Sequence, residues 1–273
     1  MTTLAPTGAV RAALECLIDY AGLFPPANLP IGAALTEYEQ AREGVASWML
    51  SRFIVKAADL DALRARAAGS KSIELTVIAP PAMFEAVAAA RRDGWATIAS
   101  LEVPLGDGAI DACARSARAT QVDDLPTYVE LSRGRLAMDE LAQRGLGAKL
   151  RCGGVEASAY PSVHEVATFI AAAVDAGVPF KATAGLHHPV RHFNEGAGVA
   201  MHGFLNVLLA AARAGDVSQD ELDATIAEQD PAALPLRDEA LLRRGRERFV
   251  SYGSCSFDEP VADLRALHVL PAE

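Results

Sequence analysis

Eight short apolar runs alternate with alanine-rich stretches of helical period, and this alternation predicts a closed (β/α)8 barrel. The length supports it, since about 250 residues is typical of such barrels and the chain has 273. The runner-up is an open, doubly wound sheet. No GxGxxG follows the first apolar run, so a dinucleotide-binding unit of that kind is not supported.

The elements follow in order. Strands are predicted at 17–23 (LIDYAGL), 49–56 (MLSRFIVK), 73–79 (IELTVIA) and 97–103 (TIASLEV). Four more are predicted at 126–132 (PTYVELS), 147–151 (GAKLR), 179–184 (PFKATA) and 248–252 (RFVSY). Helical patterns lie at 31–43, 58–68, 82–93, 108–118, 134–144, 162–175 and 197–213. A further helical region spans 218–247, and a last helix starts near 259. There, Ser256 and Glu259 flank the start as a capping box, with Pro260 in the first turn. No Pro-, Gly- or Ser-rich linker divides the chain, so residues 1–273 form one domain. Residues 214–247 read as a helical insertion between strands seven and eight, whose polar part (214–237) is open to a role as a lid or an oligomer contact. The Pro25-Pro26 pair makes the first loop a rigid turn.

Composition excludes some functions. The net charge is −10, whereas a nucleic-acid or anionic-membrane surface needs a basic face. No apolar run reaches membrane-spanning length. The four cysteines, Cys16, Cys113, Cys152 and Cys255, are scattered without a CxxC pair, which argues against structural zinc and a disulfide framework. The N-terminus lacks the charged-then-apolar pattern of a signal peptide. A reducing, cytoplasmic setting is the expectation, with a homo-oligomer allowed and no cofactor or metal required.

In a barrel of this kind the active site lies at the C-terminal ends of the strands. Several ionisable residues fall there: Glu102 on strand four, Glu130 on strand five, Lys149 and Arg151 on strand six, and Lys181 with Thr183 on strand seven. Period-2 alternation puts Lys149 and Arg151 on one face, and Lys181 and Thr183 on one face. The outer face is covered by helices, so the charges are expected to turn toward the barrel mouth. A lysine in a partly apolar site beside a second cation has its pKa lowered, and its neutral amine attacks carbonyls. Lys181 is the expected nucleophile, Lys149 the cation that tunes it, and Glu130 or Glu102 the proton shuttle. The competing structural reading is a Lys181 that is simply salt-bridged to one of these glutamates.

FKATAG at 180–185 resembles the FIKTSTG-type strand of class I, Schiff-base aldolases of the deoxyribose-phosphate aldolase kind. AKLRCGG at 148–154 resembles that family's VKASGGI-type strand. The resemblance implies a (β/α)8 barrel, an imine on Lys181 and a tuning role for Lys149. It covers these two segments only. They occur in the opposite chain order, Arg151 replaces a small residue, and the following HHPVRH has no counterpart there. Across its whole length the chain also resembles a bacterial protein family to which no named activity attaches.

Three histidines, His187, His188 and His192, follow strand seven. Histidine titrates near neutral pH, so His187 or His188 is a candidate acid or base toward a substrate hydroxyl. With Glu195, or with Glu130 and Glu102, they offer a metal-dependent hydrolase or isomerase as an alternative, although adjacent histidines on extended backbone point apart. His202 and Asn206 are four residues apart, a spacing that puts them on one helical face. Asn206, Arg151, Thr183 and the Gly253–Ser254 amides complete the expected substrate contacts, the amides as an anion cradle near the last helix. Cys255 is open to a role as a nucleophile, but no single histidine is tied to it by sequence, and a small buried cysteine is the favoured reading. The expected activity is a lyase- or aldolase-like reaction on a small anionic carbonyl compound. A non-catalytic barrel that binds a small acid is the further alternative.

Overall fold

The computed structural model describes residues 8–67 and 72–271. Eight parallel strands close into a barrel: β1 (Ile18–Tyr20), β2 (Leu50–Lys56), β3 (Glu74–Ile78), β4 (Thr97–Gly106), β5 (Thr127–Leu131), β6 (Gly147–Arg151), β7 (Phe180–Thr183) and β10 (Phe249–Ser254). Each strand pairs with its sequence neighbour, and β10 closes the ring against β1. The chain is a TIM barrel, as its alternating pattern predicts. The end of the predicted helix 58–68, at residue 68, lies outside the described residues, as do residues 1–7, 69–71, 272 and 273.

The outer ring comprises α2 (Ile31–Glu43), α3 (Leu60–Ala67), α4 (Phe84–Asp93), α5 (Ile110–Ala119), α6 (Met138–Ala142), α7 (Val163–Asp175), α8 (Phe204–Arg213) and α11 (Asp258–Ala266). Strand residues that point outward meet these helices. Phe180 stacks on Phe249 at 5.3 Å and meets Phe169 of α7 edge-on at 5.7 Å. Tyr252 stacks on Phe204 of α8 at 5.0 Å. A fully buried Phe such as Phe180 contributes roughly 2–3 kcal/mol of transfer free energy.

Three local elements differ from the sequence expectation. A short helix, α1 (Gly8–Leu14), precedes the first strand. The predicted helix 197–213 starts only at Phe204, after the β-hairpin β8 (His192–Asn194) and β9 (Val199–Met201). The hairpin turn is set by Asn194, whose Oδ1 accepts from the Ala197 amide at 2.9 Å, and by Gly198 at φ 63°. The region 218–247 is two helices, α9 (Gln219–Ala227) and α10 (Glu239–Arg248), separated by Pro231 and Pro235. α9 packs on α7 and α8, and α10 packs on α8 and α1.

Asn206 belongs to this scaffold. It is fully buried on α8, and His202 lies before the helix begins. The Asn206 Oδ1 accepts from the Arg191 amide at 2.9 Å, and its Nδ2 donates to the Thr225 and Glu228 carbonyls, each at 2.9 Å. Every polar group of the amide is spent on backbone, so none is left for a substrate. The expected substrate contact is corrected to a brace joining the hairpin loop, α8 and α9. Asn206→Ala leaves one buried N–H and two carbonyls without this partner, and should cost roughly 3 kcal/mol in urea unfolding.

Candidate active site

The inward alternation fills this barrel with polar side chains instead of the usual branched apolar layers. Asp19, Thr76, Ser100, Glu102, Lys149, Lys181 and Ser251 are all buried. Register places Lys149 beside Lys181, and Lys181 beside Ser251.

Lys181 has no exposed surface. Its Nζ lies 2.7 Å from Asp19 Oδ2 and 2.6 Å from Glu102 Oε1. It donates more weakly to Thr76 Oγ1 at 3.5 Å and sits 5.4 Å from the centre of the Tyr128 ring. Asp19 is held in turn by the Ser251 hydroxyl at 2.7 Å and the Arg52 amide at 3.1 Å. The other oxygen of Glu102, Oε2, lies 2.7 Å from Lys149 Nζ, which also reaches Glu130 Oε2 at 3.1 Å. Glu130 Oε1 accepts from Arg151 Nε at 2.7 Å. The result is one chain of alternating charge: Asp19, Lys181, Glu102, Lys149, Glu130, Arg151. It runs from a fully enclosed end to an arginine side chain that is 51% exposed.

This chain reverses the expected electrostatics of Lys181. Burial works to lower its pKa, but the carboxylates of Asp19 and Glu102 outweigh burial and push it up to about 12. Lys149 is the next cation along, but Glu102 stands between the two lysines. Burial works to raise Glu102, and Lys149 and Lys181 together hold it down at about 2. Glu130 is lowered too, by Lys149 and then Arg151, against its burial.

The five ionisable residues singled out on strands four to seven thus meet. Asp19, Ser251, Thr76, Ser100 and Tyr128 complete the group and were not singled out. Asp19 carried a signal: it is the one charge in the otherwise apolar run LIDYAGL. The hydroxyls carried none, since Thr and Ser are ordinary strand residues. Thr183 is half-buried, in register between Arg151 and Gly253.

Gly253 and Ser254, whose amides were expected to cradle an anion, belong to a barrel strand. Strand β10 runs through Ser254, with Gly253 and Ser254 in register with Asp19 and Tyr20 of β1. The Ser254 hydroxyl donates to the Ser256 carbonyl at 2.6 Å. Helix α11 begins only at Asp258.

Beyond β7, Ala184 (φ 58°) and Gly185 (φ 69°) turn the chain sharply. A Cβ on Gly185 would lie 2.9 Å from the Cys152 carbonyl oxygen, so the loops after β6 and β7 touch backbone to backbone. The turn delivers His187 and His188 to the carboxylates of α11. His187 Nδ1 lies 2.9 Å from Glu259 Oε2, and His188 Nδ1 is bonded to Asp263. His192 meets the His188 ring edge-on at 4.2 Å, and Glu195 is exposed on the hairpin. His202 is fully buried between Arg191 and the Pro161 carbonyl, and burial lowers its pKa to about 4, so it stays neutral. Among the described residues no three His, Cys, Asp or Glu side chains are grouped so as to hold a metal ion.

Compared with known proteins, the chain matches no protein-family model and no curated sequence. The barrel is compatible with an enzyme, although this fold hosts many chemistries. No helix among the described residues is long and apolar enough to cross a membrane.

Glu102→Gln should cost about 3–5 kcal/mol, because it leaves two buried ammonium groups short of a carboxylate. Because Glu102 is depressed in the fold, its contribution is present above its unfolded pKa of about 4.3 and is lost as pH falls toward about 2. Stability of the variant, measured by urea unfolding from pH 3 to 7, should therefore depend less on pH below about 4.5 than that of the parent. Lys181 acts at the other limb. Its contribution is present below about 10.4 and is lost as pH rises through about 12.

Proposed function

We propose that the chain is an enzyme acting on a small anionic carbonyl compound at the C-terminal mouth of the barrel, in a lyase- or aldolase-like reaction. The observation that carries this reading is the buried chain of alternating charge that surfaces at Arg151. Buried ion pairs are often no more stabilising than apolar packing of the same volume, so a chain of this length inside the barrel points to chemistry.

In this reading Arg151 binds the substrate anion, and Thr183 lies beside it. The carbonyl reaches Lys181 once the enclosing ion pairs with Asp19 and Glu102 open, since Lys181 has no exposed surface. Lys181 gives up one proton, which moves along the carboxylates toward the mouth, and its amine adds to the carbonyl carbon. The carbinolamine oxygen leaves as water once it is protonated, and the imine then accepts the electron pair released when a neighbouring carbon–carbon bond breaks. Glu102 and Glu130 move the protons. His188, 29% exposed and held by Asp263, acts on the substrate hydroxyl.

A second reading follows from the raised pKa of Lys181. An ammonium that stays charged stabilises an enolate by hydrogen bonding, with a carboxylate as base and no covalent intermediate. The metal-dependent reading would use His187 and His188.

The deciding experiment is borohydride trapping with a panel of small keto acids and sugar phosphates, mapped by mass spectrometry. An adduct on Lys181, absent in Lys181→Met, is the expected result. Exchange of a substrate α-hydrogen for solvent deuterium without any adduct would select the enolate reading. Stoichiometric divalent metal with neither signal would select the metal reading. Binding of a small acid alone would reduce the protein to a binding barrel.

A further inference from the structure

Cys255 continues the inward alternation of Ser251 and Gly253 beyond the end of β10. It is 7% exposed, and its Sγ lies 3.9 Å from His187 Nε2 and 4.0 Å from Nδ1. His187 Nδ1 is engaged by Glu259 at 2.9 Å, a contact that favours the tautomer protonated on Nδ1 and unprotonated on Nε2, and the sulfur sits nearly equidistant from the two ring nitrogens.

The carboxylate is where it is because a capping box is only half made. Ser256 Oγ accepts from the Glu259 amide at 3.2 Å, as the sequence pattern predicts. In a full box the glutamate also reaches back to the cap backbone. Glu165 does so toward Ser162, and Glu221 toward Ser218, so the full box forms twice elsewhere among the described residues. Glu259 instead turns to His187. A residue that gives up half of its cap to orient an imidazole beside a thiol is placed for something other than helix stability.

We propose that Cys255, His187 and Glu259 form a nucleophilic thiol site at the barrel mouth, for the acyl carbonyl of a small ester or thioester. His187 Nε2 takes the Sγ proton, and the thiolate forms a C–S bond to the acyl carbon as the C=O π pair moves to oxygen. When the pair returns, the bond to the leaving oxygen or sulfur breaks, and His187 gives that group the proton. Water attacks the acyl-thioester by the same route and restores the thiol. Glu259 keeps the imidazole in the required tautomer. The contact with the thiol is also the largest cause that raises the pKa of His187, against burial and with help from Glu259. The site is independent of the lysine chain and stands or falls without it.

The test uses the full-length protein and its own cysteines as references. Cys16 is exposed, with its thiol pKa raised by burial and by Glu15, while Cys113 and Cys152 are buried. Limiting iodoacetamide at pH 7 should label Cys255 ahead of Cys16, despite the greater exposure of Cys16. His187→Gln should slow Cys255 labelling by about 10-fold or more, because the group that takes the Sγ proton is removed. Glu259→Gln should slow it by a smaller factor. p-Nitrophenyl acetate should leave an acetyl group on Cys255 in the parent and none in Cys255→Ser. Preferential labelling of Cys16 in the parent would overturn the proposal, as would an unchanged Cys255 rate in both His187→Gln and Glu259→Gln.

Discussion

A cation with no exposed surface can remain charged only if the protein replaces the water it has lost. Lys181 gets that replacement from two carboxylates within 2.7 Å, one from β1 and one from β4. Those strands lie on different arcs of the ring, so the pairing requires the barrel to be closed. The dependence runs the other way as well. An apolar packing of the interior would be lost to seven buried polar side chains, and only their mutual pairing makes this interior tolerable. Barrel closure and charge pairing support each other.

The same condition shapes the mouth. Each carboxylate in the series neutralises the cations beside it, so charge passes outward without an unpaired group until Arg151 meets solvent. An arginine suits that position, because its guanidinium stays charged and holds carboxylates and phosphates in fixed geometry. Across the mouth, the loop after β7 and the start of α11 set a second group of ionisable side chains against one another, with the histidines facing acids one turn apart on the helix, Glu259 and Asp263. The two groups sit on the same rigid frame, but they share no partner among their described contacts.

The fold was legible because period and length survive without tertiary information. Eight apolar runs of strand length, separated by helical patterns, admit few packings, and each predicted strand overlaps an observed one. What was not legible lay where local signals compete. The NEGAG turn makes a hairpin of residues that read as the start of a helix, because Asn194 and Gly198 supply turn geometry that an alanine-rich pattern hides. Within the site, Glu102, Glu130, Lys149, Arg151 and Lys181 stood out as charges in apolar runs, and they do meet. The sense of the pKa shift did not follow from that list. It depends on which of two neighbours is nearer, and Glu102 intervenes between the lysines. Asn206 was misread for a related reason. A polar residue on an apolar helix face is as easily a brace for backbone as a ligand for substrate, and only the positions of Arg191, Thr225 and Glu228 decide between them.

By itself, the sequence determined the alternation, the number of barrel strands, the inward face of each and the set of charges that this face carries. These are properties of period, and period is local. The tertiary structure alone decided the pairing: Asp19 with Lys181 across 162 positions of chain, Cys255 with His187 across 68, and Glu259 with His187 instead of its own helix cap. Coulomb and hydrogen-bond energies depend on distance in space, and a closed barrel brings together side chains whose separation along the chain says nothing of that distance.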